Sequence, residues 1–539
     1  MMQMETTQDR AGSADGGARA PGTAPAATAP QARVIRERAA AWFPFAVAGV
    51  VALALLLRLP TLSSRSIWMD EAYSYWFSHL SWTDLWTKTP TYETHPPFYY
   101  SLLKLWTAWA GTSEAGMRSL SVLASVVTIA LTAVAPRLLR LPSRYGSAGI
   151  AAAALLAVNE GSIEYAQQAR PYALQTLFCT LLILLTASML RRMFDAQREH
   201  ARIGSGVRLA VLSGLAGGIV LWLHNTSPFI IFSNSVASFA AIALFSRYRR
   251  ADLLLATSSL TLSLLVWSPC VPILLIESRT VASAFWVTVS PKMLTWPYTL
   301  AAGGKYAFVP AAAIAALAWL RMFRNNRGMA IYVASMLLLP VMCIFTISYL
   351  FTPVFITRTF AWMAPLFLFV VSLGLFGAVP SPGLRHGLLA VLIALGLVQC
   401  VGYYRTPTED LRGAVRYLRD NVHAGDAVLL YPNEMEVGLH YYARDLATRF
   451  ELAAIPARYP ALGLTRPYLG SNKGAPAAIE SDRAQIDALL ATHPRVWLVG
   501  AWQDADGVPN VVGSELVRQR GKPAVLADFF GIGIARFGK

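Results

Sequence analysis

Apolar positions dominate the chain from Ala41 to about Cys400, and they come in long blocks rather than stripes. The blocks run roughly 17 to 25 residues, the length a helix needs to cross a bilayer core. Backbone groups in lipid must be satisfied within their own segment, so these blocks are helices. About eleven follow one another. The first comes after Arg33, Arg36 and Arg38. The second covers roughly Ser119 to Leu139 and the third Ser147 to Val158, and the fourth starts near Ala173. The fifth and sixth flank "LHNTSP", and the seventh lies near Leu253 to Leu275. The eighth ends at "RMFRNNR", and the ninth lies near Met329 to Ile347. The tenth and eleventh flank "SPGLRHG" and finish near Val401.

Beyond residue 402 the pattern changes. "TEDLRGAVRYLRDNVHAGDAVLLYP" reads as an amphipathic helix, a glycine-containing turn and a short buried strand. "HPRVWLVGAW" reads as another strand, and "GSELVRQRGKPAVLADFFGIGIARF" as a helix followed by one or two strands. Alternating helix and strand predicts a small α/β domain. The first 32 residues are rich in Ala, Gly, Pro and Thr and lack periodicity, as disordered segments do. The expected division is 1–40 as a disordered cytoplasmic N-terminus, 41–402 as a membrane domain with an outer first loop over 61–117, and 403–539 as an outer α/β domain.

Composition agrees with a polytopic chain. Of 539 residues, 55% are hydrophobic and 14% charged, against about 25% charged in soluble domains. The formal net charge of +16 could indicate nucleic acid, but the arginines sit in short connections on one side of alternate spans. That is the positive-inside pattern, so the excess reads as topology and no nucleic-acid partner is expected. It places the N-terminus in the cytoplasm and the first loop and tail outside. The first apolar block lacks a small-residue cleavage site and reads as an uncleaved span. Cys179, Cys270, Cys343 and Cys400 all lie in apolar runs, as buried hydrophobes rather than disulfides or a metal cluster. "AAGGKY" lacks the spacing of a phosphate-binding loop.

The same topology collects both signs of charge on the outer face: Asp70, Glu71, His79, Glu93, His95, Arg118, Glu160, Glu164, Arg170, His224, Glu277, Arg279 and Arg358. Ionisable groups near membrane depth are costly, so such a cluster suggests function. Asp70 and Glu71 form an acid pair just outside the first span; a capping role at a helix start would account for Asp70 alone. In "THPPFYY" the prolines suit the first turn of a helix and stiffen His95 at its N-terminus, a place to meet phosphate. Plain loop punctuation is the competing reading. Tyr99, Tyr100, Trp106 and Trp109 read as interfacial belt residues. Arg170, in "EYAQQARPYALQTLF", and Arg358, in "FITRTF", need anions. Phosphate suits their forks, and Glu164 is an internal alternative for Arg170. Arg118 reads as interfacial, and His224 as a hydrogen-bonded helix-end histidine or a substrate-binding residue. Phe285 and Trp286 could be a sugar platform or belt residues.

In their order, "WMDEAYS", "HPPFYYSLL", "MRSLSVLASVVTIALTAVAPRLL", "EYAQQARPYAL" and an arginine at the outer start of a late span resemble one family. It is the bacterial branch of the polyprenyl-phosphate-sugar-dependent glycosyltransferases of the GT-C superfamily, related to protein O-mannosyltransferases and lipid A aminoarabinose transferases. "EDLRGAVRYLRDNVHAGDAVLLY" resembles the start of the periplasmic tail domain of that branch. The likeness covers Ala41 to about Ala443. It implies a polytopic α-helical membrane protein with a small C-terminal α/β domain, in the inner membrane, acting on its periplasmic face. The implied donor is a polyprenyl-phosphate-linked sugar and the acceptor a lipid, glycan or protein hydroxyl, among membrane lipids. Asp70 would be the base or acceptor-orienting acid, with Glu71 beside it, and His95, Arg170 and Arg358 would lie at the lipid phosphate. The pattern departs at Tyr172, where some relatives carry a second acid; Glu164 replaces it or one acid suffices. Metal use differs within the family, so a divalent cation at Asp70 and Glu71 is open. A transporter or lipid flippase, or a non-catalytic scaffold, are the competing classes.

Overall fold

The computed structural model describes residues 29–194, 202–281, 287–443, 450–464, 466–469, 473–500 and 510–538. Phe285 and Trp286 lie outside the described residues, as does most of the segment expected to lack structure; its described part, from Ala29 on, is helical.

Helix α1 covers Ala29–Arg58. The first loop carries α2 (Met69–His79), α3 (Trp82–Thr87) and α4 (Pro97–Ala110). The bundle continues with α5 (Glu114–Leu138), α6 (Ala148–Ala157), α7 (Glu160–Ala166), α8 (Tyr172–Phe194), α9 (Arg202–Leu223), α10 (Ser227–Phe245), α11 (Arg249–Trp267) and α12 (Val271–Val281). It closes with α13 (Trp296–Ala302), α14 (Lys305–Asn325), α15 (Arg327–Leu350), α16 (Met363–Ala378) and α17 (Pro382–Arg405).

Among the described residues nine helices are long and apolar enough to cross a membrane, and ten if the pair containing α6 and α7, bent by 64°, counts as one. Contacts at one end of the bundle decide the remainder. The first loop meets the α7–α8 connection through Asp70 and Arg170, and the α15–α16 connection through Asp70 and Arg358. Asn225, between α9 and α10, donates to Thr94 O at 2.9 Å and to Glu277 Oε2 on α12 at 2.6 Å. Asn159, between α6 and α7, donates to Ala301 O on α13 at 3.1 Å. Arg65 in the first loop donates to Thr406 O, just past α17, at 3.2 Å.

All these connections therefore share one end, and the chain must leave and return between each. That requires α6 and α16 to be passages as well, which brings the nine to the expected eleven. Both are short for a bilayer core of about 30 Å. Both are enclosed by other helices rather than lipid, so membrane thickness does not set their length. Gly149 makes the closeness possible, because a Cβ there would lie 2.2 Å from Ala133 O on α5. The opposite end carries Arg137, Arg140, Arg144, Arg247, Arg249, Arg250, Arg324 and Arg327.

The tail matches the expected helices and strands and adds others. Helix α18 (Leu411–Asn421) buries Leu411, Ala414, Val415 and Leu418 at helical spacing. Strand β1 (Ala427–Tyr431) is wholly buried. It is followed by α19 (Met435–Tyr442), β2 (Glu451–Ala454), α20 (Arg483–Thr492), β3 (Val496–Gly500), α21 (Val511–Arg520), β4 (Val525–Asp528) and β5 (Gly533–Phe537). The sheet order is β2-β1-β3-β5-β4, parallel from β2 to β3 and antiparallel thereafter.

This sheet does not stand apart. One hydrophobic cluster joins Ile67, Tyr73, Tyr75 and Phe77 of the first loop with Leu418, Val428, Leu430 and Val437 of the tail. The extramembrane region is thus a composite of two segments more than 300 residues apart in sequence. Tyr99 and Tyr100 are each 1% exposed inside it, which corrects their reading as belt residues; Trp109, at 81%, fits that reading.

The arrangement predicts a labelling pattern. Single cysteines placed at Thr83 and Asp420, in a cysteine-free background, should react with a membrane-impermeant maleimide from one side of sealed vesicles. Cysteines at Ser143 and Arg250 should react only from the other.

Candidate active site

Helix α2 begins one residue before the acid pair, and consecutive helical positions point about 100° apart. Asp70 and Glu71 therefore face different neighbours. Glu71 is fully buried. Its oxygens accept from Arg118 Nε at 2.8 Å, Arg118 Nη2 at 2.6 Å and the Ala169 amide at 2.8 Å. Arg118 spends its other donors on the carbonyls of Leu62, Arg65 and Ser66 at 2.7 to 2.9 Å. All five guanidinium donors are used. Two expectations are corrected here. Arg118 is a buried anchor rather than an interfacial residue, because the first loop wraps over it. Glu71 is turned away from Asp70, so it is not presented to a substrate or to a metal ion shared with Asp70.

Asp70 points the other way. Its Oδ2 lies 3.1 Å from Arg358 Nη1 and 3.7 Å from Arg170 Nη2. Arg170 also donates through Nη1 to the backbone carbonyl of Asp70 at 3.1 Å. With Ala169 bound to Glu71, two adjacent residues of the α7–α8 turn clamp two adjacent residues of α2. The tail completes the mounting: Trp68 supplies no side-chain cap to α2, and Glu409 Oε2 accepts from the Met69 amide at 2.8 Å instead. Burial opposes ionisation of Asp70, but the Arg170 and Arg358 guanidinium groups outweigh it and hold the carboxyl below its usual range.

A buried relay extends from Arg170. Its Nη2 lies 3.2 Å from His95 Nε2. A guanidinium only donates, so Nε2 accepts and the ring proton sits on Nδ1. That nitrogen faces Glu93 Oε1 at 2.7 Å, and Tyr100 donates to the same oxygen at 3.3 Å. Burial pushes Glu93 up to about 7 and drives His95 well below its ordinary value, with Arg170 adding to the effect. Pro96 and Pro97 hold His95 at the start of α4 as the prolines suggested. Sequence reading noted Glu93 without giving it this place; a carboxylate two residues before a proline-flanked histidine was the available signal.

Beside this cluster lies a cavity of about 280 Å³, lined by His95, Tyr172, His224 and Arg358 at its polar end and by Phe229, Leu274, Val354 and Ile356 elsewhere. His224 Nδ1 accepts from the Thr226 amide at 3.1 Å, as a helix-end histidine would, and its ring also packs 5.2 Å from that of His95. The Arg358 and Arg170 guanidinium carbons lie 5.9 and 6.0 Å from the centre of the Tyr172 ring, so the ring neighbours both cations. Glu164 is 3.3 Å from Gln168 and does not pair with Arg170. Asp70 takes that part.

Among the described residues no three His, Cys, Asp or Glu side chains are grouped to hold a metal ion. With Glu71 turned away and two guanidinium groups facing Asp70, the donor set does not fit a divalent cation. The arrangement fits an anion instead: one guanidinium and two neutral imidazoles face a cavity whose remaining lining mixes apolar side chains with hydroxyls and the Asn225 amide, and Arg358 links it to Asp70 and Arg170.

Three solved structures share this fold. ArnT from Cupriavidus metallidurans in the apo state matches with a TM-score of 0.61 and 11% identity over 93% of this chain and 98% of that one. ArnT bound to undecaprenyl phosphate matches at 0.56 and 11%, over 91% and 97%. The archaeal oligosaccharyltransferase AglB from Archaeoglobus fulgidus, in complex with an inhibitory peptide and a dolichol-phosphate, matches at 0.53 and 13%, over 85% and 69%. No family model and no curated protein matches the sequence.

Two predictions follow from the clamp and the relay. Glu71→Ala or Arg118→Ala strands a buried charge and should each cost about 3–5 kcal/mol. The double variant should lose clearly less than the sum of the two, as read by unfolding in detergent. Glu93 has a folded value above its unfolded one, so the folded state binds more protons between pH 4.5 and about 7. Its contribution to stability is present at acid pH and lost as pH rises through that window. The melting temperature of Glu93→Gln, relative to wild type, should rise from pH 5 to pH 7.5.

Proposed function

We propose that this protein is a membrane glycosyltransferase that moves a sugar from a polyprenyl phosphate to an acceptor hydroxyl on the extracytoplasmic face. The observation that carries the reading is the pair of guanidinium groups, Arg170 and Arg358, converging on Asp70, with Arg358 also lining the adjacent cavity. The shared fold with ArnT bound to undecaprenyl phosphate and with AglB bound to a dolichol-phosphate supports a prenyl-phosphate ligand. The arginine-rich opposite end supports the extracytoplasmic side for the site.

In this reading the prenyl chain lies along Phe229, Leu274 and Val354, and the phosphate meets Arg358, Arg170 and His95. The acceptor oxygen attacks the anomeric carbon, and the bond from that carbon to the phosphate oxygen breaks. The electron pair leaves with the phosphate, where the two guanidinium groups stabilise the growing charge. Asp70 takes the hydroxyl proton. A carboxylate paired with Arg358 is a weak base. Phosphate that draws Arg358 away would raise its basicity when a donor is in place. One carboxylate and an activated donor support a single displacement with inversion.

A flippase would need ionisable groups at mid-membrane and helices broken there. Here the charges gather at one end, which favours transfer chemistry. The test is sugar transfer by purified protein in detergent from a synthetic polyprenyl-phosphate sugar. Asp70→Asn should lower kcat by roughly a hundred- to ten-thousandfold. Near-normal transfer by that variant would remove Asp70 from the role of base. Movement of the donor across vesicles without any transfer would favour the flippase.

A further inference from the structure

Two consecutive side chains that line the cavity beside Asp70 have their hydrogen-bonding roles fixed by the protein. Asn225, between α9 and α10, spends both amide protons on protein acceptors. Its Nδ2 donates to Thr94 O at 2.9 Å and to Glu277 Oε2 at 2.6 Å. A backbone carbonyl only accepts, so the amide nitrogen must face Thr94, and the group Asn225 has left to offer is its acceptor, Oδ1. His224 is the reverse. Its Nδ1 accepts from the Thr226 amide at 3.1 Å, and burial keeps the ring neutral. Its one ring proton is therefore on Nε2, a donor. Both residues line the cavity, and among the described residues neither Asn225 Oδ1 nor His224 Nε2 has a hydrogen-bond partner.

Glu277, on α12, accounts for the orientation of Asn225. It is fully buried. Among the described residues its hydrogen bond is to Asn225, and Oε1 has no partner. Burying a carboxyl for one neutral hydrogen bond costs stability. What it secures is an amide held in one orientation at the cavity wall.

A ligand group that meets this pair must donate and accept at once. Hydrocarbon does neither. Ionised phosphate oxygens only accept, and the Asn225 oxygen would repel them. A hydroxyl does both. We propose that this corner holds the sugar of the donor, one ring hydroxyl donating to Asn225 Oδ1 and accepting from His224 Nε2. Asn225 and His224 are then specificity residues, and Glu277 is a positioning residue that acts through Asn225. The inference rests on the transferase reading, in which the phosphate meets Arg358 and His95. Thr94, whose carbonyl holds Asn225, directly precedes His95, so the hydroxyl corner adjoins the phosphate end. The site selects a sugar with a free hydroxyl at the position that reaches this corner, and rejects the analogue that lacks it.

The test uses the full-length protein in detergent. The probes are farnesyl phosphate and its glucosyl, mannosyl, galactosyl and ribosyl derivatives, with dissociation constants read by calorimetry. Wild type should bind at least one glycosylated probe more tightly than farnesyl phosphate. For that sugar, removal of one particular hydroxyl should weaken binding roughly five- to a hundredfold, because it leaves buried polar groups unpaired. N225L should lose a similar factor for the parent sugar and keep its affinity for farnesyl phosphate. It should also no longer distinguish the parent from that deoxy analogue. E277L should weaken binding of the parent sugar, and E277Q, whose amide oxygen still accepts from Asn225, should restore it. The deoxy series is read on wild type and decides the matter even where a variant fails to fold. Wild type that binds farnesyl phosphate but gains nothing from any sugar, or tolerates loss of every hydroxyl, would overturn the proposal and leave the phosphate site standing. So would N225L with unchanged sugar affinity, or with an equal loss for farnesyl phosphate. Wild type that binds none of the probes would remove the transferase reading itself.

Discussion

The site depends on one buried ion pair. Arg118, at the top of α5, uses every guanidinium donor on Glu71 and on three carbonyls of the chain that leads into α2. A charge this deep is tolerated only when its partner and all its hydrogen bonds are supplied. The first loop therefore has one way to sit on the bundle. Once Glu71 is committed, the helical step turns Asp70 toward the opposite side, where the α7–α8 turn brings Arg170. The acid pair is one anchor and one group turned into the arginine cluster, on adjacent residues.

The charges around Asp70 form a graded set. Arg170 is almost fully buried and held on both flanks, by the Asp70 carbonyl and by His95. Arg358 is more exposed and reaches Asp70 from a connection between two membrane helices. The inner guanidinium is hydrogen-bonded on both sides, while the outer one keeps part of its surface open. Burial holds His95 and His224 well below the usual imidazole range, so both add polarity without adding charge to the cavity they line.

The tail is part of the mounting for this site. Glu409 satisfies the first amide of α2, Tyr442 accepts from the Ile67 amide at 2.9 Å, and Glu434 takes the hydroxyl proton of Tyr73 into a 2.5 Å hydrogen bond. Two segments that the chain connects only through the membrane domain share one apolar cluster, and their packing seats α2 on the bundle.

The sequence alone determined the membrane architecture, because lipid leaves long apolar blocks no option but helices and arginine placement sets their direction. It also picked out Asp70, His95, Arg170 and Arg358, which the fold brings together, since charges near membrane depth stand out against apolar surroundings. It could not separate Asp70 from Glu71. Adjacent acids look alike until a helix turns them apart and a partner 47 residues away claims one. Nor could it recognise Arg118 as an anchor, place Tyr99 and Tyr100 in a core, or give Glu93 its histidine. Those depend on the first loop and the tail closing over one another, and burial created by contacts between distant segments leaves no trace in local pattern.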